Sequence, residues 1–224
     1  MRKTIITPGE YYHVVNRGVN KQKLFIDKRD YVRFLFLILY FQSPITFINL
    51  GRHVSYFVKH QMFNISEQEN IIKNRSVYLH NFCIMPNHFH LLLSESIDGG
   101  ISRYLQRIQN GYGKYFNTRY QKNGHVFQGV FRAVHMQDNE QLLHTSAYIH
   151  KNPQELMSDR HDLETYPWSS YRDYIGQNRW RKLIESTIIL DQFETKEDYH
   201  TFVKTSSAKE IPTDKDVKHL MFNT

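Results

Sequence analysis

Two apolar runs separated by a single Pro-Asn pair constrain the fold of this chain more than any other feature. Residues 77–85 and 88–94 each have the length and apolar composition of a β-strand, and Pro86-Asn87 between them is a pair that interrupts strands. We therefore expect the two runs to be neighbouring strands joined as a hairpin.

The elements predicted on either side of this hairpin alternate between strand and helix. In chain order they are a strand over residues 11–17, a helix from about Asp27 to Phe41, a helix after Gly99-Gly100, a strand over about residues 125–136, and a helix from Asp138 to near Pro153. Residues 47–75 show neither period and are interpreted as an insertion or excursion. The order predicts an α+β sandwich in which an antiparallel sheet is covered by helices.

The length of 224 residues allows one large domain or a smaller domain with an appendage. Beyond Pro153 the pattern is that of a helical appendage, with a polar tail from about Ser206. We therefore predict a main domain over residues 1–153 and a helical C-terminal extension over residues 154–224.

Composition excludes several classes of protein. Hydrophobic residues make up 40% of the chain, which is typical of a folded protein and not of a disordered one. The longest apolar run, residues 34–41, is too short to cross a bilayer, and the N-terminus has no signal-peptide pattern, so we expect a cytoplasmic protein without a membrane partner. Cys83 is the only cysteine, which rules out an internal disulfide and a multi-cysteine zinc site within one chain.

The strongest local feature is His88-Phe89-His90 on the second strand of the hairpin. Side chains two residues apart on a strand point to the same face, so the two imidazoles could grip one metal ion while Phe89 points into the core. The alternative is that two of the 13 histidines lie near each other on a surface by chance.

A second candidate set lies on the helix that begins near Asp138. His144, Tyr148 and Asn152 recur at four-residue spacing and so share one helix face, from which a phenol and an amide could reach a metal on a neighbouring strand. The alternative for Tyr148, one of 15 tyrosines, is an ordinary packing role with one end in water.

The charge of the chain points to a polyanionic partner. Lysine and arginine exceed aspartate and glutamate by 29 − 22 = 7, and residues 101–137 contain no acidic residue. Aromatic rings are interleaved with the cations of this stretch, as single-stranded nucleic acid requires, although a solvated basic face over core aromatics is the alternative. The predicted DNA-binding residues are Arg103, Arg107, Lys114, Arg119, Lys122 and Arg132.

These motifs together resemble a known family. Residues 85–93 (MPNHFHLLL) are similar to the metal-binding signature of the single-tyrosine HUH transposases, in particular of the REP-associated tyrosine transposase branch. Further similar segments follow in the expected order, so that the resemblance extends from about residue 8 to 176 and more faintly to residue 203. They are residues 12–18, 115–117, 124–131, 148–153 and 166–171.

The resemblance implies a ferredoxin-like or RRM-like core and a metal-dependent enzyme that cuts and rejoins single-stranded DNA through a 5′-phosphotyrosine. It assigns Tyr148 as the nucleophile and His88, His90 and Asn152 as ligands of Mg²⁺ or Mn²⁺. The expected partner is single-stranded DNA that contains a hairpin, and the choice between monomer and homodimer stays open. His150 is either a further ligand or a bystander.

Two other functions remain open at this point. One is a domesticated, non-cutting module that binds DNA hairpins, which would have no need of the two histidines and Tyr148. The other is a phosphoesterase that uses activated water and leaves no covalent adduct.

Overall fold

A four-stranded antiparallel sheet with helices on both faces forms the centre of the computed structural model, which describes residues 4–47, 49–63, 68–157 and 163–207. Within these ranges no helix is both long enough and apolar enough to span a membrane. In chain order the elements are β1 (Tyr11–Arg17), α1 (Lys28–Tyr40), α2 (Leu50–His60), α3 (Gln68–Lys73), β2 (Val77–Met85), β3 (His88–Glu95), α4 (Gly100–Tyr120), β4 (Arg132–His135), α5 (Asn139–Lys151), α6 (Tyr171–Ile175), α7 (Thr187–Leu190) and α8 (Lys196–Thr205). Single 3-10 turns occur at Val19–Lys21, Asn152–Leu156, Leu163–Thr165 and Arg181–Leu183.

The strand order in the sheet is β2-β3-β1-β4, and every neighbouring pair is antiparallel. The predicted hairpin of β2 and β3 is present, and β1 lies between β3 and the edge strand β4. This order, with α1 between β1 and β2 and α4 between β3 and β4, is the ferredoxin-like arrangement. The predicted fold class, an antiparallel sheet flanked by helices with further helices toward the C-terminus, is confirmed.

Alternation along β3 decides which residues face which helix layer. Phe89 is fully buried and packs on Phe34 of α1, at 4.9 Å between ring centroids, so its face of the sheet is covered by α1 and α4. His88 and His90 therefore face the opposite side, which α5 covers. Burying a phenylalanine contributes roughly 1.5–3 kcal/mol, and a one-residue slip would move Phe89 to the other face and away from Phe34. This packing therefore favours the face on which the histidines lie.

Side-chain caps fix the starts of the two helices that border the histidine pair. Asp27 and Asp30 form a capping box at the start of α1. At the start of α5 the Asp138 carboxylate accepts a hydrogen bond from the Gln141 backbone N–H. Pro153 follows the last α-helical turn, and the chain continues only as a 3-10 turn.

Residues 47–75 differ from the prediction of an excursion without periodicity, since they contain α2 and α3. On α2 the apolar side chains of Leu50, Val54 and Phe57 recur at spacings of four and three residues and pack against the core. This apolar stripe is only three helical turns long and lies among polar residues, so the sequence pattern does not predict the helix α2. Residues 48 and 64–67 lie outside the described part of the chain.

The prediction of a strand over residues 125–136 is wrong for its first half. Regular pairing is limited to Arg132–His135, and Phe127 makes only an isolated bridge to Gly18. Gly124 and Gly129 have φ angles of +90° and +64°, which turn the backbone out of an extended strand. The apolar residues that resembled a strand fill the core from a loop.

The C-terminal extension packs along the outer edge of β2 and over α5. The carbonyl of Trp168 accepts a 2.9 Å hydrogen bond from Ile84 N, and Leu79 O accepts one of 2.8 Å from Glu185 N. Tyr199 and Val203 of α8 are fully buried in the core. These contacts protect an edge strand from unwanted pairing. The division of the chain at residue 153 stays a prediction, and residues 208–224 of the predicted tail lie outside the described part.

A buried histidine on β2 makes the stability of this fold depend on pH. His80 donates from Nδ1 to Glu185 O at 2.7 Å and accepts at Nε2 from the Ser94 hydroxyl at 2.9 Å. Burial lowers the pKa of His80 from 6.5 to about 4. The unfolded chain therefore binds this proton at a higher pH than the folded chain, and stability is lost as the pH falls from 6.5 toward 4.

We expect His80→Gln to reduce the loss of unfolding free energy between pH 7 and pH 4.5 by about 2–3 kcal/mol relative to the unmodified protein. Urea titrations at both pH values measure this difference, whatever the variant costs in stability at pH 7. His125→Gln, at an exposed position, serves as the control and should leave the pH dependence unchanged. Equal pH dependence of His80→Gln and the unmodified protein would contradict the assignment.

Candidate active site

A cavity of about 620 Å³ opens at the end of the sheet where the β2–β3 hairpin turns. The predicted site residues from the strand and from the helix line it together: His88, His90, Tyr148 and Asn152. The spacing patterns on β3 and at the end of α5 thus converge on one place. That these residues bind a metal and attack DNA stays a prediction.

Each of the two strand histidines contacts a neighbouring side chain through Nδ1. Their ring centroids are 5.0 Å apart. Nδ1 of His88 lies 2.7 Å from Oδ1 of Asn87, and an amide oxygen only accepts, so Nδ1 carries the hydrogen in this contact. The unprotonated nitrogen of neutral His88 is then Nε2. An imidazole held in this way through one nitrogen is typical of a metal ligand that binds through the other.

His90 is held by a residue that the sequence analysis did not single out, His13 of β1. Nδ1 of His90 lies 2.9 Å from Nε2 of His13, and the two rings are stacked with 5.1 Å between centroids. Burial lowers the pKa of His13 to about 4, so this ring is neutral at pH 7 and has an acceptor nitrogen. When His90 Nδ1–H is the donor in this contact, the unprotonated nitrogen of His90 is Nε2, as in His88.

Tyr148 is only 6% exposed, and its ring lies 5.6 Å from that of His90. Burial raises the pKa of Tyr148 above its ordinary value of 10, the charge of Glu155 raises it further, and a hydrogen bond with the Asn152 side chain acts in the opposite direction. Asn152 also donates from Nδ2 to Tyr148 O at 2.9 Å. The phenol is therefore neutral at pH 7, and its use as a nucleophile requires positive charge nearby.

Three cations line the same cavity: Arg17, Lys21 and Lys23. Sequence reasoning missed them, because strand pairing places Arg17 and a turn places the two lysines. Arg17 pairs with His88 and so shares its face of the sheet. Lys21 and Lys23 lie in the turn after β1. Glu155 is the one acid among the described lining residues, so the three cations leave the cavity wall net positive and suited to a phosphate group.

The two other histidines of α5 lie outside this cavity. His144 contacts the Ser206 hydroxyl at 3.2 Å and Glu140 at 3.9 Å. His150 is fully buried, with Nδ1 2.7 Å from the Tyr199 hydroxyl and Nε2 2.8 Å from the Ser170 hydroxyl. These contacts tie α5 to the C-terminal extension and favour a structural role for His150.

The basic residues predicted to bind DNA are spread over a different surface, and α4 packs on the face of the sheet opposite Tyr148. Arg107 donates to the carbonyls of Ser43 and Ile45, and Arg119 donates to the carboxylates of Asp27 and Asp30. The others have exposed side chains and DNA binding by the set stays a prediction: Arg103, Lys114, Lys122 and Arg132. Of the described residues that line the Tyr148 cavity, none belongs to the predicted set.

Comparisons with known proteins give a family for this chain and a solved structure with a similar fold. The model of the family described as "Transposase IS200 like" matches residues 8–152, which include β1 to α5 and the four predicted site residues. Among solved structures, that of a REP-associated tyrosine transposase bound to a REP hairpin has a similar fold. It has 14% sequence identity and a TM-score of 0.52, and the match covers 78% of this chain and 84% of that chain. The curated proteins gave no match.

Proposed function

Because this chain belongs to the family of IS200-like transposases, we propose that it cuts and rejoins single-stranded DNA in a metal-dependent reaction through a 5′-phosphotyrosine on Tyr148. The observation that best supports the proposal is the cavity that Tyr148, the two strand histidines and Asn152 line together. A purely structural tyrosine would not need two imidazoles and a cationic wall around it.

The proposed reaction needs no external energy source. The Tyr148 oxygen attacks the phosphorus, the bond from phosphorus to the 3′ oxygen breaks, and the phenol proton balances the new 3′-hydroxyl. The cations of the cavity wall bind the phosphate and hold it for in-line attack. Because the phosphotyrosine keeps a phosphodiester bond, a second 3′-hydroxyl can reverse the reaction and join a different strand.

The residues present fit a divalent cation, which we propose to be Mn²⁺ or Mg²⁺. Both strand histidines are held through Nδ1, and Asn152 contributes an amide oxygen, so His88, His90 and Asn152 would hold the ion. Within the described residues no group of three His, Cys, Asp or Glu side chains is arranged for a metal, so the set relies on the amide and on DNA oxygens. When bound, the ion would stabilise negative charge on the phosphate and favour the phenolate.

We propose a hairpin-containing single strand as the substrate. The support is the fold shared with the transposase that was solved with a REP hairpin, together with the excess of cations over acids in this chain. Incubation with Mn²⁺ and a panel of hairpin oligonucleotides tests the function, with a denaturation-resistant protein–DNA adduct as the expected result. Binding without cleavage would indicate the non-cutting module instead, and cleavage without an adduct would indicate a phosphoesterase.

The α4 surface gives a separate prediction about DNA affinity. We expect Lys114→Ala with Lys122→Ala to weaken single-stranded DNA binding and to reduce the salt slope by about 1.4, since each lost phosphate contact removes about 0.7. These positions are exposed, so the fold should be unaffected. Fluorescence anisotropy at several salt concentrations measures the slope, and Lys73→Ala with Lys204→Ala is the charge-matched control. An unchanged slope would make α4 a merely solvated face.

A further inference from the structure

A second groove, of about 710 Å³, adjoins the Tyr148 cavity and shares two lining residues with it, Ile26 and Tyr31. We propose that the single strand flanking the scissile phosphate runs from the Tyr148 cavity into this groove, where its bases stack and its phosphates are bound. The groove is called the flank groove here, and the proposal rests on the proposed function. The residues that carry the argument are Lys28, Tyr31, Trp168, Arg172 and Arg179.

Continuity with the Tyr148 cavity is the first argument for this occupant. DNA is a polymer, so a strand whose phosphate reaches Tyr148 must leave the cavity on either side of that phosphate. Ile26 and Tyr31 form the border of both spaces, and Ile26 is 53% exposed although it is apolar. An exposed apolar side chain at the junction suits contact with a base.

An aromatic platform on the floor of the groove is the second argument. Tyr31 and Trp168 are stacked, with 4.7 Å between ring centroids and 14° between planes, and Phe25 supports Tyr31 at 5.1 Å. Hydrogen bonds at the β2 edge hold this platform, because Trp168 O accepts from Ile84 N. Bases of any identity stack on such rings, and loss of one stacking partner lowers affinity by roughly five-fold to a hundred-fold.

The balance of charge in the groove is the third argument. Its acid, Asp27, is bound by Arg119, and Arg179 is paired with Asp173 at 2.7 Å. Lys28 and Arg172 add two positive charges with exposed side chains. The groove is therefore apolar and aromatic along its floor and positive at its rim, which matches the two chemical surfaces of a single strand.

The segment between α1 and β2, for which the sequence predicted no regular structure, contributes to the flank groove. Phe57 of α2 and Phe63, just after it, pack on the Trp180 ring at 5.8 and 5.2 Å. Together with Gln61 these residues line the groove. The segment between α1 and β2 thus contributes part of the groove beside the Tyr148 cavity.

The test uses Tyr148→Phe as the background, so that DNA is bound without being cut. Hairpin oligonucleotides with no flank, or with a flank of eight nucleotides on the 5′ or on the 3′ side, are titrated by anisotropy. We expect Lys28→Ala with Arg172→Ala to weaken binding about ten-fold for one flank polarity, to reduce its salt slope by about 1.4, and to leave the unflanked hairpin unchanged. The control pair Lys73→Ala with Lys204→Ala should affect no oligonucleotide differently from the others.

Base stacking is measured independently with 2-aminopurine placed at successive flank positions. We expect quenching at one or two positions, which Trp168→Leu or Tyr31→Leu abolishes, with circular dichroism used to check the fold of each variant. Equal losses on flanked and unflanked DNA, or no quenching anywhere, would overturn the flank groove. Adduct formation is assayed in parallel with the unmodified protein. An adduct on that protein without any flank dependence of binding overturns this groove alone, whereas flank-dependent binding with no adduct on the unmodified protein leaves the groove standing and overturns the proposed cutting.

Discussion

Replacing Tyr148 by phenylalanine is expected to abolish the covalent protein–DNA intermediate and strand cleavage while leaving the fold and DNA affinity nearly intact. The substitution removes one hydroxyl and keeps the 2.9 Å hydrogen bond from Asn152 Nδ2 to the Tyr148 carbonyl, so we expect a cost of at most about 1 kcal/mol of stability. Without the nucleophile the remaining groups can bind the phosphate but cannot form the bond. We expect the rate of adduct formation to fall by a factor on the order of 10⁴ or more.

Mass spectrometry of the adduct trapped with the unmodified protein gives the position of the linkage directly. Tyr56→Phe is the matched control, since Tyr56 is 47% exposed on α2 and lies outside the Tyr148 cavity. Two other tyrosines, on α4, have hydroxyl groups that are engaged elsewhere, because Tyr112 donates to Leu24 O and Tyr115 to the Asp30 carboxylate. A nucleotide found on either of them would refute the assignment of Tyr148 while leaving the enzyme class in place.

The parts of this site that follow from local periodicity could be predicted from the sequence. Alternation along one strand places His88 and His90 on one face, and the four-residue spacing of Tyr148 and Asn152 places them on one side of a helix end. That the strand and the helix end meet in one cavity depends on packing between distant segments. The family resemblance, and not the periodicity alone, predicts that the strand and the helix end meet.

The residues that were missed depend on strand pairing or on loops. His13 reaches His90 only because β1 lies beside β3 in the sheet, and no spacing within either strand reveals that pairing. Lys21 and Lys23 reach the cavity through an irregular turn. Conversely, Phe127 and Phe131 belong to an apolar pattern that predicts a strand, but they fill the core from a loop. Burial of an apolar side chain is favourable in either backbone conformation, so the pattern does not distinguish the two.

Replacing both strand histidines by alanine is expected to abolish metal binding and cleavage together. In the proposed metal site His88 and His90 supply two ring nitrogens, and their contacts with Asn87 and His13 hold the rings in place. Alanine leaves no donor at either position. Burial and the charge of Glu155 raise the pKa of Tyr148, so without a cation the phenol stays protonated and the phosphate charge is uncompensated. Loss of such stabilisation lowers the cleavage rate by about 10³-fold or more.

The metal is measured separately from activity, by titrating Mn²⁺ and following its electron paramagnetic resonance signal in protein without DNA. We expect the double variant to lose the bound fraction, to retain most of its hairpin affinity through the cations of the cavity wall and the flank groove, and to keep its fold. His60→Ala with His125→Ala removes two histidines from exposed positions and should change none of these quantities. His90 is only 4% exposed and contacts His13, so circular dichroism and urea titration of the double variant accompany the metal titration, and His88→Ala alone, which leaves that contact in place, gives a second measurement. If the double variant bound Mn²⁺ and cut the hairpin as well as the unmodified protein, the two imidazoles would not be the ligands, and the cation that assists Tyr148 would have to be one of the protein's own side chains.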